Sequence, residues 1–201
     1  MAARMAAAGR QTEAPPVTPQ LLTYTTPGAH SFVTPAGSGY RIDRVALGGG
    51  RAGRQYGFGV GANGGNAGDF AWDTITEGVD FTAGQTITIT VGAGGASNGA
   101  SGEATTATVA GNTLTGPPGL SGEPYLSGYT GEPVNTGNTN GNKDLLLNGQ
   151  TYVGGSGGTG SSSSDPAGPP VVPGGGGWGS SANGVSGRTG GNGRAWLNVY
   201  Q

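Results

Sequence analysis

The sequence predicts a mainly β fold in which glycine-rich segments are ordered parts of the structure, linked by long loops. Three observations carry this. Residues 84–95 read Gly-Gln-Thr-Ile-Thr-Ile-Thr-Val-Gly-Ala-Gly-Gly, an alternating strand that runs straight into glycines. Thr86, Thr88 and Thr90 fall on one face and Ile87, Ile89 and Val91 on the other, the period of a half-buried strand. The same strand-to-glycine pattern recurs at 41–50 and 151–158. The chain also holds 46 glycines in 201 residues, while Leu, Ile, Val and Phe number only 10, 4, 13 and 4. So few large apolar side chains make an ordinary core difficult. Backbone packing or subunit contacts must then offset an ordering cost of roughly 1–2 kcal/mol per residue.

Composition removes several function classes. A net charge of −2 with 10% charged residues lacks the charge excess of a disordered chain. A pI near 5.2 and nine scattered basic residues argue against a nucleic-acid surface. Without cysteine there are no disulfides, thiolate metal sites or cysteine nucleophiles. No apolar run reaches the ~18–20 residues of a membrane span. Residues 1–9 have an alanine-rich end but no Leu- or Val-rich core, so they resemble a signal peptide only superficially.

In chain order, residues 1–20 read as an extended N-terminal attachment arm, with Pro15, Pro16 and Pro19 enforcing an open path. Residues 21–201 form the glycine-rich β domain. Leu22-Thr23-Tyr24-Thr25, a Pro27-Gly28 turn and His30–Val33 predict a hairpin. A strand at 40–47 follows, in which Ile42 and Val45 cannot share a face without a bulge. The first glycine region is 48–68. One or two strands lie in 69–82, then the strand at 86–91, glycines at 92–102, and a hairpin pairing 104–109 with 113–115. Residues 116–142 are a long loop. Leu145–Leu147, the turn Asn148-Gly149 and 150–153 make a compact hairpin. The second glycine region is 154–193. A closing strand at 193–201 implies an end tied back into the sheet.

Glycine runs order as polyglycine-II-type helices when extended three-residue turns, lacking internal hydrogen bonds, find partners on neighbouring segments. Without Cβ atoms such segments approach closely, and larger residues such as Arg51, Arg54, Tyr56 and Phe58 belong on the rim. Several stretches then carry a resemblance: Tyr24-Thr25-Thr26-Pro27-Gly28, Ser31 to Gly37, 41–50, 81–95 and the closing 190–200. Together they resemble the glycine-rich domain of bacteriophage minor tail and tail fibre proteins. That resemblance implies a small β-sandwich-like framework carrying polyglycine-II-type helices and long loops. The segment 116–142 departs from it, having too few glycines for a regular bundle.

Catalytic chemistry finds little support. Gly59-Val-Gly61-Ala-Asn-Gly64 matches G-x-G-x-x-G, yet no strand leads directly into it and no helix follows. His30 is the single histidine, and the pairs Asp69 with Asp73 and Glu77 with Asp80 read as strand ends or turns. No enzyme, cofactor or metal site is therefore expected. Tyr56, Phe58, Tyr125, Tyr129 and Trp178 stand alone among Gly, Pro, Ser and Asn, where no core periodicity claims them. They are the candidate contacts for a partner or a host-surface glycan, with capping of the glycine bundle or subunit packing as the plainer role.

The sequence and the resemblance thus point to a structural virion protein, a phage minor tail or tail-tip/fibre component, with host-surface contact by its loops as a secondary role. The expected partners are other tail or capsid proteins and further copies of the chain, with a trimer favoured. A capsid-decorating fibre or head protein is the alternative, followed by a non-viral cell-surface module. The expected location is the virion, tail before capsid.

Overall fold

The computed structural model describes residues 19–37, 39–54, 64–120, 144–155, 173–179 and 187–201. Within them lie ten strands: β1 (Gln20–Tyr24), β2 (Gly28–Val33), β3 (Arg41–Leu47), β4 (Phe70–Thr76), β5 (Thr86–Val91), β6 (Thr105–Val109), β7 (Asn112–Gly116), β8 (Leu145–Leu147), β9 (Gln150–Tyr152) and β10 (Arg194–Tyr200). One four-stranded sheet runs β1-β10-β3-β4, a second runs β2-β5-β6-β7, and β8-β9 is a separate hairpin. All strand pairs are antiparallel.

The two large sheets enclose one apolar cluster. Ile42 and Ile75 meet Ala195, Leu197 and Val199 from the first sheet, with Ile87, Ile89, Val91, Ala107 and Val109 from the second. Period-2 alternation in β5 delivers this burial, its threonines exposed and its apolar residues closed off. Phe81, held by the Glu77–Phe81 bridge after β4, joins the same cluster.

The predicted hairpin of 21–33 does not form. β1 pairs with β10 and β2 with β5, so Pro27-Gly28 carries the chain from one sheet to the other. Alternation identified both strands, but short strands do not name their partners. The bulge expected in β3 is also absent, because its seven residues pair one-to-one with both β10 and β4. Ile42 and Val45 point to opposite faces, and both faces are covered. Val45 and Leu47 belong to a second cluster with Tyr152 and Trp196, roofed by Leu145 and Leu147 of the β8-β9 hairpin. The closing strand is tied back as expected: β10 lies between β1 and β3 at the centre of its sheet.

The predicted polyglycine-II helices are not seen. Among the described residues there is no helix of any kind, and the glycine segments leave the strands as irregular backbone. What orders them is contact between segments, which the candidate site is built on.

Candidate functional site

β3 delivers the chain at Leu47 into 48–53, and this short run is the axis of the glycine region. Its N–H groups donate in a fixed rotation. Gly48 and Arg51 bond to Asp69 and Asn66, Gly49 and Ala52 to Glu103 and Ala100, and Gly50 and Gly53 to Gly191 and Arg188. Each bond measures 2.8–3.2 Å, and the direction repeats every third residue. Three further segments donate back, Gly119 to the Gly49 carbonyl, Gly95 to Gly50 and Gly177 to Arg51. All six N–H groups of this run are thus paired outside any sheet, the accounting that a buried irregular segment demands.

The packing requires the missing side chains. A Cβ on Gly50 would lie 1.9 Å from the Gly175 carbonyl oxygen, and one on Gly53 would lie 2.0 Å from that of Trp178. No backbone tolerates such an approach. Arg51 departs from its expected place on the rim, being 1% exposed. It radiates from the central run, but the turn around Gly99 covers it, and its Nε donates to the Gly99 carbonyl at 3.0 Å. Gly99 has φ +74°, and a side chain there would strike Arg54.

Of the five candidate contact aromatics, Tyr56, Phe58, Tyr125 and Tyr129 lie outside the described residues. Trp178 is half-buried at the end of the lattice, where its carbonyl accepts from the Arg188 N–H at 2.7 Å. The structure therefore brings no two of the five together among the described residues.

The acidic pairs serve structural roles. Glu77 accepts from the Tyr40 N–H, tying the end of β4 to the start of β3, and Asp80 accepts from the Thr76 N–H within the turn after β4. Asp73 pairs with Arg44. His30 bonds through Nε2 to the Thr26 carbonyl at 2.8 Å, beside the Tyr24 ring. Among the described residues no three His, Asp or Glu side chains gather as metal ligands would.

Sequence reasoning missed a polar hub on the outer face of the first sheet. Asp43, fully buried, accepts through Oδ1 from Thr74 at 2.7 Å and from Asn148 and Tyr200 at 2.9 Å each. Asn148 reaches it from the β8-β9 turn, so this carboxyl group pins the hairpin to the sheet. Tyr152 packs edge-on against Trp196, with ring centroids 5.5 Å apart. Burial first, then Asp43 and Tyr200, push the Tyr152 phenol up to about 12. Burial also raises Tyr200, aided by its hydrogen bond to Asp43. The sequence signal was faint: two consecutive charges, Asp43 and Arg44, between the apolar Ile42 and Val45-Ala46-Leu47 of one strand. The hub and the lattice are both devices for holding irregular segments on a small sandwich. Neither assembles a nucleophile with a base.

Two comparisons agree with this architecture. Residues 25–200 match the family model of a glycine-rich domain. The chain is also 34% identical over 193 residues to the Gene 32 protein of Mycobacterium phage L5, covering 92% of this chain and 84% of that protein. A match that begins in the β1–β2 connection and ends on β10 takes in every strand but β1, together with the lattice, and so the chain belongs to the glycine-rich domain family.

Proposed function

We propose that the protein is a structural component of a phage particle, a minor tail or tail-tip/fibre protein whose surface contacts the host. The observation that carries this reading is the glycine lattice. It spends a large share of the chain on a scaffold bonded backbone to backbone, which offers no reacting groups and gives loops a fixed base. The phage relative supports the same reading. On this view the protein is not an enzyme, and it works in several copies, a trimer being favoured, alongside other tail or capsid proteins.

The test is a mass-spectrometric inventory of purified particles of the encoding virus, with tail and capsid fractions separated. A few copies in the tail fraction is the expected result. Abundance in the capsid fraction would move the protein to the decoration role, and absence from both would remove the virion reading.

A further inference from the structure

The outward face of the second sheet is a grid of hydroxyl groups. Antiparallel register places Ser31, Thr88, Thr108 and Thr113 in one row across all four strands. Ala29, Thr90, Thr106 and Thr115 form the next row, and Val33 sits beside Thr86 in a third. Neighbours within a row are about 4.8 Å apart and successive rows about 7 Å apart. Every one of these residues is exposed or half-buried, and none is charged. A threonine in a strand needs no explanation by itself, since β-branched residues suit the pleated surface. Registered rows without a lysine or glutamate are different. Exposed sheets ordinarily carry such charges against self-association.

We propose that this face binds a neutral, hydroxyl-rich polysaccharide chain. The proposal rests on the host-contact reading above and gives that contact a place and a chemistry. The Thr108 and Thr113 hydroxyls share one hydrogen bond at 2.9 Å, which leaves that pair one donor and its remaining lone pairs. Each other threonine is a donor with two acceptor lone pairs, and all carry a methyl group, matching the mixed C–H and O–H surface of a sugar. A charged polymer would meet no counter-charge among these ten residues. A protein partner would find no anchor among these ten residues, which include no Trp, Tyr, Arg or Met, the residues that dominate protein hot spots. Strand twist of about 20–25° per step fans the rows, which suits a flexible chain and not a flat crystalline surface. Single contacts of this kind are weak, and repeated copies on one particle would supply avidity.

The test uses the full chain on biosensor surfaces carrying a soluble glucan, galactan, arabinan or mannan, with dextran sulfate as the charged control. The variant Thr88→Val/Thr108→Val/Thr113→Val removes three hydroxyls from one row while keeping the branched shape. Wild type is expected to bind at least one neutral polymer, and the valine variant at least tenfold more weakly with unchanged circular dichroism and melting. Because valines could harm folding, the matching serine variant is measured too, and it should retain binding. Equal binding by a folded valine variant overturns the proposal, as does loss in the serine variant or a preference for dextran sulfate. Failure to bind any neutral polymer, or self-association of wild type that the valines change, overturns it as well. The two readings fail separately. Tail location without polysaccharide binding removes only this inference, and binding without presence in particles removes only the virion role.

Discussion

Arg44 and Asp73 are register partners on β3 and β4, and their ion pair closes on the inner face of the first sheet. Arg44 is completely buried, and its Nε donates to Asp73 at 2.9 Å. Through Nη1 it also donates to the carbonyls of Ala107 and Asn112 on the opposite sheet, at 2.9 and 3.1 Å. One guanidinium therefore ties both layers of the sandwich. Its fork geometry suits the task in a way that a lysine could not match.

Breaking this tie from the carboxylate side should be the costlier route. Asp73→Ala leaves a buried cation with only carbonyl partners. Fully buried pairs lose about 3–5 kcal/mol in this way. Asp73 keeps a third of its side chain exposed, so about 2–3 kcal/mol is expected here. Arg44→Met removes the charge along with the donor and should lose less, about 1 kcal/mol. Urea unfolding midpoints of the two variants decide the order. A larger loss for Arg44→Met would mean that the carbonyl bonds matter more than the ion pair.

Tyr152 predicts the alkaline limit of the fold. Its phenol is pushed up to about 12 in the folded state, against the ordinary 10. The fold therefore favours the neutral form. That contribution is complete below pH 10 and is lost as pH rises toward 12. Tyr200 is shifted the same way and adds to the loss. The Tyr152 hydroxyl is buried without a hydrogen-bond partner. Tyr152→Phe should then cost nothing near neutrality, or stabilise by about 1 kcal/mol, and flatten the alkaline fall. Melting temperature against pH for both proteins is the measurement. An unchanged alkaline fall in the variant would exclude Tyr152 as its source.

The hairpin over this hub gives a third prediction. Asn148 and Gly149 have φ of +47° and +81°, the left-handed pair of a tight two-residue turn. Glycine at 148 would relieve the backbone but delete the bond to Asp43. A hydrogen bond to a charged group contributes about 1.5–3 kcal/mol, more than the ~1–2 kcal/mol of left-handed strain. Asn148→Gly should thus be destabilising, and amide exchange should rise first in β8 and β9. Protection equal to wild type would show that Leu145, Leu147 and Tyr152 hold the hairpin without the hub.

What was legible in the sequence was local. The alternation of Thr86 to Val91 gave a strand with the right face inward, and Asn148-Gly149 gave the hairpin turn. The closing 194–200 gave a strand bound into a sheet. Pairing was not legible, because β1 and β2 are adjacent in sequence and each matches several partners equally well in pattern. The double burial of β3 was hidden for a related reason. Its outer cover is a hairpin about a hundred residues away, so Val45 looked like a misfit that required a bulge. Arg51 was placed outside because glycine neighbours make any side chain look peripheral, yet the turn at Gly99 arrives from another segment to enclose it. The aromatics at 56, 58, 125 and 129 stood out by isolation alone, a signal that carries no address in space.

The glycine lattice makes the sharpest prediction, since it separates two kinds of glycine. Gly111 has φ +80° and open space around it, so Gly111→Ala meets only local strain, roughly 1–2 kcal/mol. Gly50 sits where a Cβ would fall 1.9 Å from one backbone oxygen and 2.4 Å from its carbon. It cannot move aside, because its N–H is bonded to Gly191 and its carbonyl to Gly95. Any shift breaks bonds to two segments at once, and overpacking of this kind exceeds the usual range of about 1–3 kcal/mol. Gly50→Ala should fail to fold or melt far below Gly111→Ala, in thermal unfolding of the two proteins side by side. A Gly50→Ala protein as stable as Gly111→Ala would mean that the lattice is not what holds the segments together.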